Sequence, residues 1–311
     1  MEKVIEEVIK RKIVKHFEDN DIILEEHHGG RRAHSTISAK TVLENAAHES
    51  IDSNKFGVLV STDLTAAFDL CDHSILKEKL KYYGLEGNLM KLMESYLSER
   101  YQYVELQTRK SKLTKCLDCS VIQGSIWSGL LYMIYTNEIV RVHHLIHDKE
   151  WLEQNTKLKH ENYNPIDHTV VNFMDDSNSL ISFTEHTDAN HYLNRYFDIL
   201  KIFYNSNKLC LNPEKTNVLI LAKPKLKKEA DEIKIVTEDE DVTAKNQIKV
   251  LGFYFNERMS MDTTLDKVVA GINSSLAAIS NFKPYMSERA RLTFVNSYLA
   301  STQIWSNVLC G

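Results

Sequence analysis

Thr169-Val170-Val171-Asn172-Phe173-Met174-Asp175-Asp176-Ser177-Asn178-Ser179-Leu180-Ile181-Ser182-Phe183 is the stretch whose reading decides the fold. Two short runs rich in β-branched and apolar residues flank Asp-Asp-Ser-Asn, a pattern that predicts a β-hairpin with two carboxylates at its tip. Like charges held so close repel unless cations lie between them, and hard divalent ions with oxygen ligands, Mg²⁺ above all, are the usual partners. An acidic pair in a solvated turn is common in itself. The weight of the reading therefore falls on the rest of the chain.

More than a hundred residues earlier, Phe56-Gly57-Val58-Leu59-Val60-Ser61-Thr62 reads as a buried strand, and it ends at Asp63. Were these strands neighbours in one sheet, they would bring Asp63, Asp175 and Asp176 to one edge. Such a cluster would hold two divalent ions, which stabilise the attacking and leaving oxygens of an in-line phosphoryl displacement. Helices are predicted around these strands. Residues 2–17 place Val4, Ile5, Val8, Ile9 and Phe17 near one face of a docking helix. Asp72 caps a helix that Gly84 closes, and a further helix is expected over Leu130–Val140. Tyr101–Leu106 and Lys112–Val121 read as a strand pair, and Val250–Phe255 as one more strand. The aromatic stripe Tyr192, Tyr196, Phe197, Phe203 and Tyr204 reads as core on a helix. Two helices separated near Pro284 end the chain.

The chain has 311 residues, enough for one large domain or two to three small ones. A hydrophobic share of 43% and a charged share of 26% suit a globular protein, and no apolar run is long enough for a membrane span. With five Cys, an odd number, a reducing intracellular compartment fits better than a disulfide scaffold; nucleus and cytoplasm stay open. A net charge of −5 argues against a chain that coats nucleic acid by bulk electrostatics, but not against an enzyme with a local basic groove. Lys and Arg outnumber Asp and Glu between Lys77 and Lys115.

Asp63-Leu64-Thr65-Ala66-Ala67-Phe68-Asp69 followed by Asp72-His73-Ser74-Ile75-Leu76 resembles the first catalytic motif of reverse transcriptases of the non-LTR (LINE-type) retrotransposons, D-L-S-K-A-F-D-x-V-D-H-x-x-L. His28-Gly29-Gly30-Arg31-Arg32-Ala33-His34-Ser35-Thr36 is similar to H-G-F-R-x-G-R-S-T, Val121-Ile122-Gln123-Gly124-Ser125 to G-V-P-Q-G-S, and Tyr135-Thr136-Asn137-Glu138 to Y-I-N-D. Phe173-Met174-Asp175-Asp176 matches the [FY]-[AM]-D-D box, and Asn207 to Thr216 resembles N-x-L-x-L-N-x-x-K-T, with Leu251-Gly252 after it. The boxes stand in the family's order over residues 25–260. Departures fall at Gly30, Ala33, His34, Ser120, Ile122 and Trp127-Ser128-Gly129, while all three carboxylates remain.

The resemblance implies an α+β right-hand polymerase with a ferredoxin-like β-α-β-β-α-β palm sheet. It divides the chain into an N-terminal helix and fingers (1–55), palm (56–84), fingers (85–117), palm with a polar insertion at 141–168 (118–256) and thumb-like helices (257–311). It implies RNA-templated DNA synthesis with dNTPs, a DNA primer, an RNA template and two Mg²⁺ ions, Mn²⁺ being an alternative. Asp63, Asp175 and Asp176 would hold the metal, and Lys215 would protonate the leaving pyrophosphate. Phe68 would exclude a 2′-hydroxyl, Gln123 would meet the template, Gly124 would let the backbone approach the new base pair, and Arg31 and Arg32 would hold phosphates. The rivals are a catalytically inactive RNA-binding scaffold and a zinc module built from Cys116, Cys119, His143, His144 and His147. For zinc the spacing is too long for a compact finger, and no stoichiometric zinc is expected. The chain carries no recognisable endonuclease and is expected to be part of a longer element.

Overall fold

A computed structural model describes residues 2–107, 109–122, 124–156, 167–212, 214–236, 241–260, 262–282, 285–294 and 296–297. Four strands form its central sheet: β1 (Phe56–Thr62), β2 (Asp167–Phe173), β3 (Asp176–Phe183) and β4 (Asn217–Leu221). Their spatial order is β2-β3-β1-β4, and every neighbouring pair is antiparallel. That is the expected ferredoxin-like arrangement. Strand β1 is buried along its whole length because β3 flanks it on one side and β4 on the other.

Side chains alternate across the sheet, so its two faces feed two cores. Val58, Val60, Ile181 and Val218 join the larger core. Leu59, Val171, Leu180 and Leu219 join the smaller one. Among the helices, in chain order, are α1 (Glu2–Asp19), α2 (Thr36–Asp52), α3 (His73–Tyr82), α4 (Gly87–Leu97), α5 (Ser128–Tyr135), α6 (His186–Ser206), α7 (Asp262–Phe282) and α8 (Glu288–Phe294). Helix α6 carries Tyr192, Tyr196, Phe197 and Tyr204 into the larger core, as its stripe predicts. Helix α2 puts Ala39, Leu43 and Ala47 on the smaller core, and Ser35 starts it with a capping box shared with Ser38. None of the described helices is long and apolar enough to cross a membrane.

Several expectations need correction. The docking face of α1 is Glu6, Ile9, Ile13 and Phe17, whereas Val4, Ile5 and Val8 are exposed. Val250–Phe255 is not one strand but a hairpin, β5 (Gln247–Val250) and β6 (Phe253–Asn256). Both turn residues, Leu251 and Gly252, have positive φ, at 51° and 90°, the backbone of a type I′ turn. The hydrophobic Leu hid the turn. The expected helix over Leu130–Val140 is α5 followed by a 3₁₀ segment, Asn137–Arg141. The stretch 141–168 is not a wholly polar insertion, because Val142, Ile146 and Leu152 are buried in the larger core; residues 157–166 lie outside the described residues. The strand pair over 101–121 is reduced to four two-residue pieces, Tyr101–Gln102 with Thr114–Lys115 and Glu105–Leu106 with Arg109–Lys110.

Candidate active site

Thr62, the last residue of β1, pairs with Ser177 of β3. Asp63 follows the one and Asp176 precedes the other, so both carboxylates lie at the same end of the sheet. The hairpin is tighter than the sequence suggested: Phe173 pairs with Asp176, and the turn is Met174-Asp175, with Met174 at φ 57°. Ser177 and Asn178 belong to the strand, where they face the equally polar Thr62 and Ser61. Asp175 is therefore at the tip and Asp176 at the first strand position.

The strand register sets the three acids at one end of the sheet. Burial, then the charges of Asp175 and Asp63, push the Asp176 carboxyl up to about 6. No three His, Cys, Asp or Glu side chains among the described residues stand as a preformed metal cage. The donors are nevertheless all carboxylate oxygens, and Asp176 shows the penalty of an uncompensated acidic cluster. This donor set fits a hard divalent cation whose remaining ligands come from elsewhere.

A glycine seat holds the hairpin turn. A Cβ on Gly29 would meet the Met174 backbone nitrogen at 2.7 Å, so only glycine permits this approach. Cβ atoms on Gly30 and Gly129 would lie 3.2 and 3.6 Å from the Met174 methyl, so the thioether rests between two sequence boxes. The Asn172 backbone closes the junction: its N–H donates to Glu26 O at 2.8 Å, and its carbonyl accepts the His28 N–H at 2.8 Å. Arg31 braces this loop, since its Nη1 donates to the carbonyls of Leu24 (2.8 Å) and His27 (3.4 Å). Arg32 is exposed.

The segment after α6 lies along the other side of Asp63. Leu64 bridges Leu211, the Thr65 N–H donates to Cys210 O at 2.9 Å, and the Asn212 N–H to Asp63 O at 3.0 Å. The Asn212 side chain then accepts the Lys215 N–H at 3.2 Å. The turn brings Lys215 Nζ within 3.7 Å of Asp63 Oδ2 while leaving the lysine side chain largely exposed. Pro213 lies outside the described residues, as does Gln123.

Phe68 stacks on Tyr132 of α5, with ring centroids 4.6 Å apart and planes at 24°. Its carbonyl accepts the Val121 N–H at 3.0 Å, which joins the Asp63 loop to the Gln-Gly box. Gly124 in that box has φ 90°, and nothing stands within 4 Å of where its Cβ would be. Helix α1 braces the same box: Glu6 accepts from Ser125 Oγ at 3.0 Å and Ile126 N at 2.9 Å, and its carbonyl accepts from Trp127 Nε1 at 2.7 Å.

Sequence reasoning missed Glu6 and Tyr132. Glu6 belongs to a charged helix with no motif to mark it. Tyr132 is fully buried with no hydrogen-bond partner for its hydroxyl; burial first, then Tyr204, Cys71, Asp175 and Asp63, push its pKa up. Its only sequence signal is an aromatic in an otherwise apolar helix just beyond the Gln-Gly box. Asp72, by contrast, was foreseen as a cap. It accepts from Ser74 N and Ile75 N and pairs with Lys208 Nζ at 2.5 Å. Desolvation works against its charge, but the Lys208, Ser74 and Ile75 hydrogen bonds outweigh it and hold the carboxyl well below the usual range.

The rival zinc reading finds no metal-holding group of three among the described residues. Cys119 bridges Asp72, and burial together with Asp72, Asp118 and Asp69 raises its thiol pKa, which opposes a metal-binding thiolate. His143 packs instead against His144 and His168, with centroids at 3.9 and 4.4 Å.

Comparison with known proteins bears on the whole arrangement. No curated protein sequence matches the chain. Among solved structures, it is similar to telomerase from Candida tropicalis truncated from its C-terminal domain (TM-score 0.51, 13% identity, 82% of this chain and 44% of that one). It is also similar to Candida tropicalis telomerase in complex with a TWJ fragment of telomeric RNA (TM-score 0.52, 11% identity, 95% and 44%). The chain spans less than half the length of either. At such identity the likeness is one of fold, the right-hand polymerase fold. The sequence model for "Reverse transcriptase (RNA-dependent DNA polymerase)" matches residues 1–255, and the chain belongs to that family.

Proposed function

We propose that the chain catalyses RNA-templated DNA synthesis, transferring nucleotidyl groups from dNTPs to a primer 3′-hydroxyl, as part of a retroelement. The observation that carries this reading is the convergence of Asp63, Asp175 and Asp176 at one end of the sheet, with Lys215 beside Asp63. The order of motifs, similar to that of LINE-type elements, supports the retroelement assignment.

Asp63, Asp175 and Asp176 would hold two Mg²⁺ ions, or Mn²⁺. When bound, such ions polarise the attacking hydroxyl and neutralise charge developing on the phosphates. Lys215 is largely exposed beside Asp63, so it can reach a leaving pyrophosphate and deliver a proton. Phe68 rests one face on Tyr132 and stays partly exposed, as a ring that excludes a 2′-hydroxyl must. Gly124 offers a backbone with free space above it for a base pair, and Gln123 beside it would contact the template. Arg32 would contact phosphate; Arg31 holds the loop that carries it. Residues 1–55 and 85–117 would act as fingers, 56–84 and 118–256 as palm, and 257–311 as the start of a thumb.

The test is primer extension on a defined RNA template with dNTPs and Mg²⁺. Wild type extends the primer, and Asp175→Ala does not while keeping the wild-type unfolding temperature. Equal extension by both, or none by wild type, overturns the reading.

A further inference from the structure

Glu6 is an acid buried without a cation. Only 8% of it is exposed, and no lysine or arginine pairs with it among the described residues. A carboxylate removed from water is costly unless hydrogen bonds replace its hydration. Its side-chain bonds both end on one oxygen: Oε2 accepts from Ser125 Oγ at 3.0 Å and from Ile126 N at 2.9 Å. The main-chain carbonyl of the same residue accepts a third, from Trp127 Nε1 at 2.7 Å. One residue of α1 thus holds Ser125, Ile126 and Trp127 in a row.

Those residues close the turn that Gly124 opens. Gly124 stands at φ 90°, the Ser125 N–H donates to Ile122 O at 3.1 Å, and Ser128 Oγ donates to the same carbonyl. Ser125 Oγ also accepts the Trp127 N–H at 3.2 Å, so the hydroxyl that Glu6 anchors is part of the turn itself. Helix α5 begins at Ser128, and its N-cap residue Trp127 makes no side-chain cap of its own, so the start of the helix leans on Glu6. The far half of α1 is fixed separately, by buried Ile13 and Phe17 and by a 3.1 Å hydrogen bond between His16 Nε2 and the Tyr83 carbonyl. Loss of the Glu6 carboxylate therefore frees the turn without undocking the helix.

We propose that Glu6 is a positioning residue for the incoming nucleotide: its Oε2 holds the Gln-Gly turn in the posture from which Gly124 meets the new base pair. The proposal rests on the polymerase reading, which gives the turn a nucleotide to meet. What the turn asks of residue 6 is one acceptor oxygen at a fixed reach. A role through charge, or through the stability of α1 alone, makes different demands, and substitutions separate them.

The experiment is steady-state primer extension with the dNTP concentration varied, paired with amide hydrogen exchange at Ile126. Glu6→Ala raises KM for dNTP at least about tenfold, the scale of a lost hydrogen bond to a charged acceptor, and leaves kcat within about threefold, because Asp63, Asp175 and Asp176 are untouched. Glu6→Gln offers an amide oxygen with two lone pairs at the same reach and brings KM back to within about threefold of wild type. Glu6→Asp keeps the charge, falls one methylene short and does not. Exchange of the Ile126 N–H quickens in Glu6→Ala and Glu6→Asp but not in Glu6→Gln. Ser125→Ala raises KM by itself, and added to Glu6→Ala it raises KM little further, as partners in one bond must. If Glu6→Ala unfolds at the assay temperature, the contrast of Glu6→Gln with Glu6→Asp and the effect of Ser125→Ala carry the test. A wild-type KM in Glu6→Ala, rescue by Glu6→Asp and not by Glu6→Gln, fully additive effects of the pair, or a kcat loss as large as the KM rise overturns the proposal. Any of these in a chain whose wild type extends primers refutes the Glu6 role alone. A wild type that cannot extend overturns the polymerase reading, and the nucleotide role with it.

Discussion

A carboxyl held at about 6 behaves opposite to most acids in a folded protein. Because Asp176 is raised from 3.8, its protonated form favours folding: this stabilisation is complete below about pH 3.8 and is lost as pH climbs through about 6. In EDTA at pH 7.5, Asp176→Asn is expected to unfold at a higher temperature than wild type, the gap closing near pH 4 and narrowing when Mg²⁺ is added. Thermal scans across pH check this. A few residues away, Phe68→Ala is expected to raise ribonucleotide use relative to deoxyribonucleotide use by about tenfold, roughly 1.4 kcal/mol of lost discrimination. Tyr132→Ala, which removes the stacking platform, should follow it, while Tyr132→Phe keeps the stack and loses only an unpartnered hydroxyl. Nucleotide competition assays read both; parallel loss on the two nucleotide types would make Phe68 a packing residue. At this scale the acids were legible because a motif writes them in full. Tyr132 was not, because an orphaned hydroxyl is a property of its surroundings.

Among the elements, the hairpin and its glycine seat act as one part. Gly29→Ala drives a methyl to 2.7 Å from a backbone nitrogen, so the Met174-Asp175 turn must move. Displacement of a reacting group by about 1 Å costs about 10²-fold in rate, and Gly29→Ala is expected to show a loss of that order in primer extension. Gly124→Ala adds no such contact and meets only the strain of a left-handed backbone, about 1–2 kcal/mol. The strands β1 to β3 were legible from apolar runs. The Leu251-Gly252 turn was not, because a leucine at positive φ breaks the usual turn chemistry and tertiary packing holds it there. Of the α1 contacts only Ile9 and Phe17 were legible, since the exposed Val4, Ile5 and Val8 made the more convincing stripe.

Over the whole molecule, buried imidazoles set the acid limit. Burial pushes His27, His28 and His143 down to about 4, and His168 well below its ordinary value. Lowered pKa values mean that the unfolded chain takes up protons first. The stability these groups contribute is intact above about pH 6.5 and falls away as pH drops through about 4. Urea titrations should show midpoints that decline over that window, less steeply for His168→Asn, which removes one such group. The sheet order was implied by resemblance and not by spacing, because no local pattern tells β1 that β3 is its neighbour.

That last point has a kinetic side. The β2–β3 hairpin is local, and such hairpins form in about 1–10 μs. Joining β1 to it, by contrast, closes a loop of 115 residues between Thr62 and Ser177. Long-range pairings of this kind are slow because chain entropy is lost before contacts reward it. Asp175 and Asp176 are thus set in their turn early, while Asp63 arrives only with the closing of the sheet. During refolding from urea, helical circular dichroism should recover first. Primer extension should return later, in step with burial of the β1 strand measured by amide hydrogen exchange.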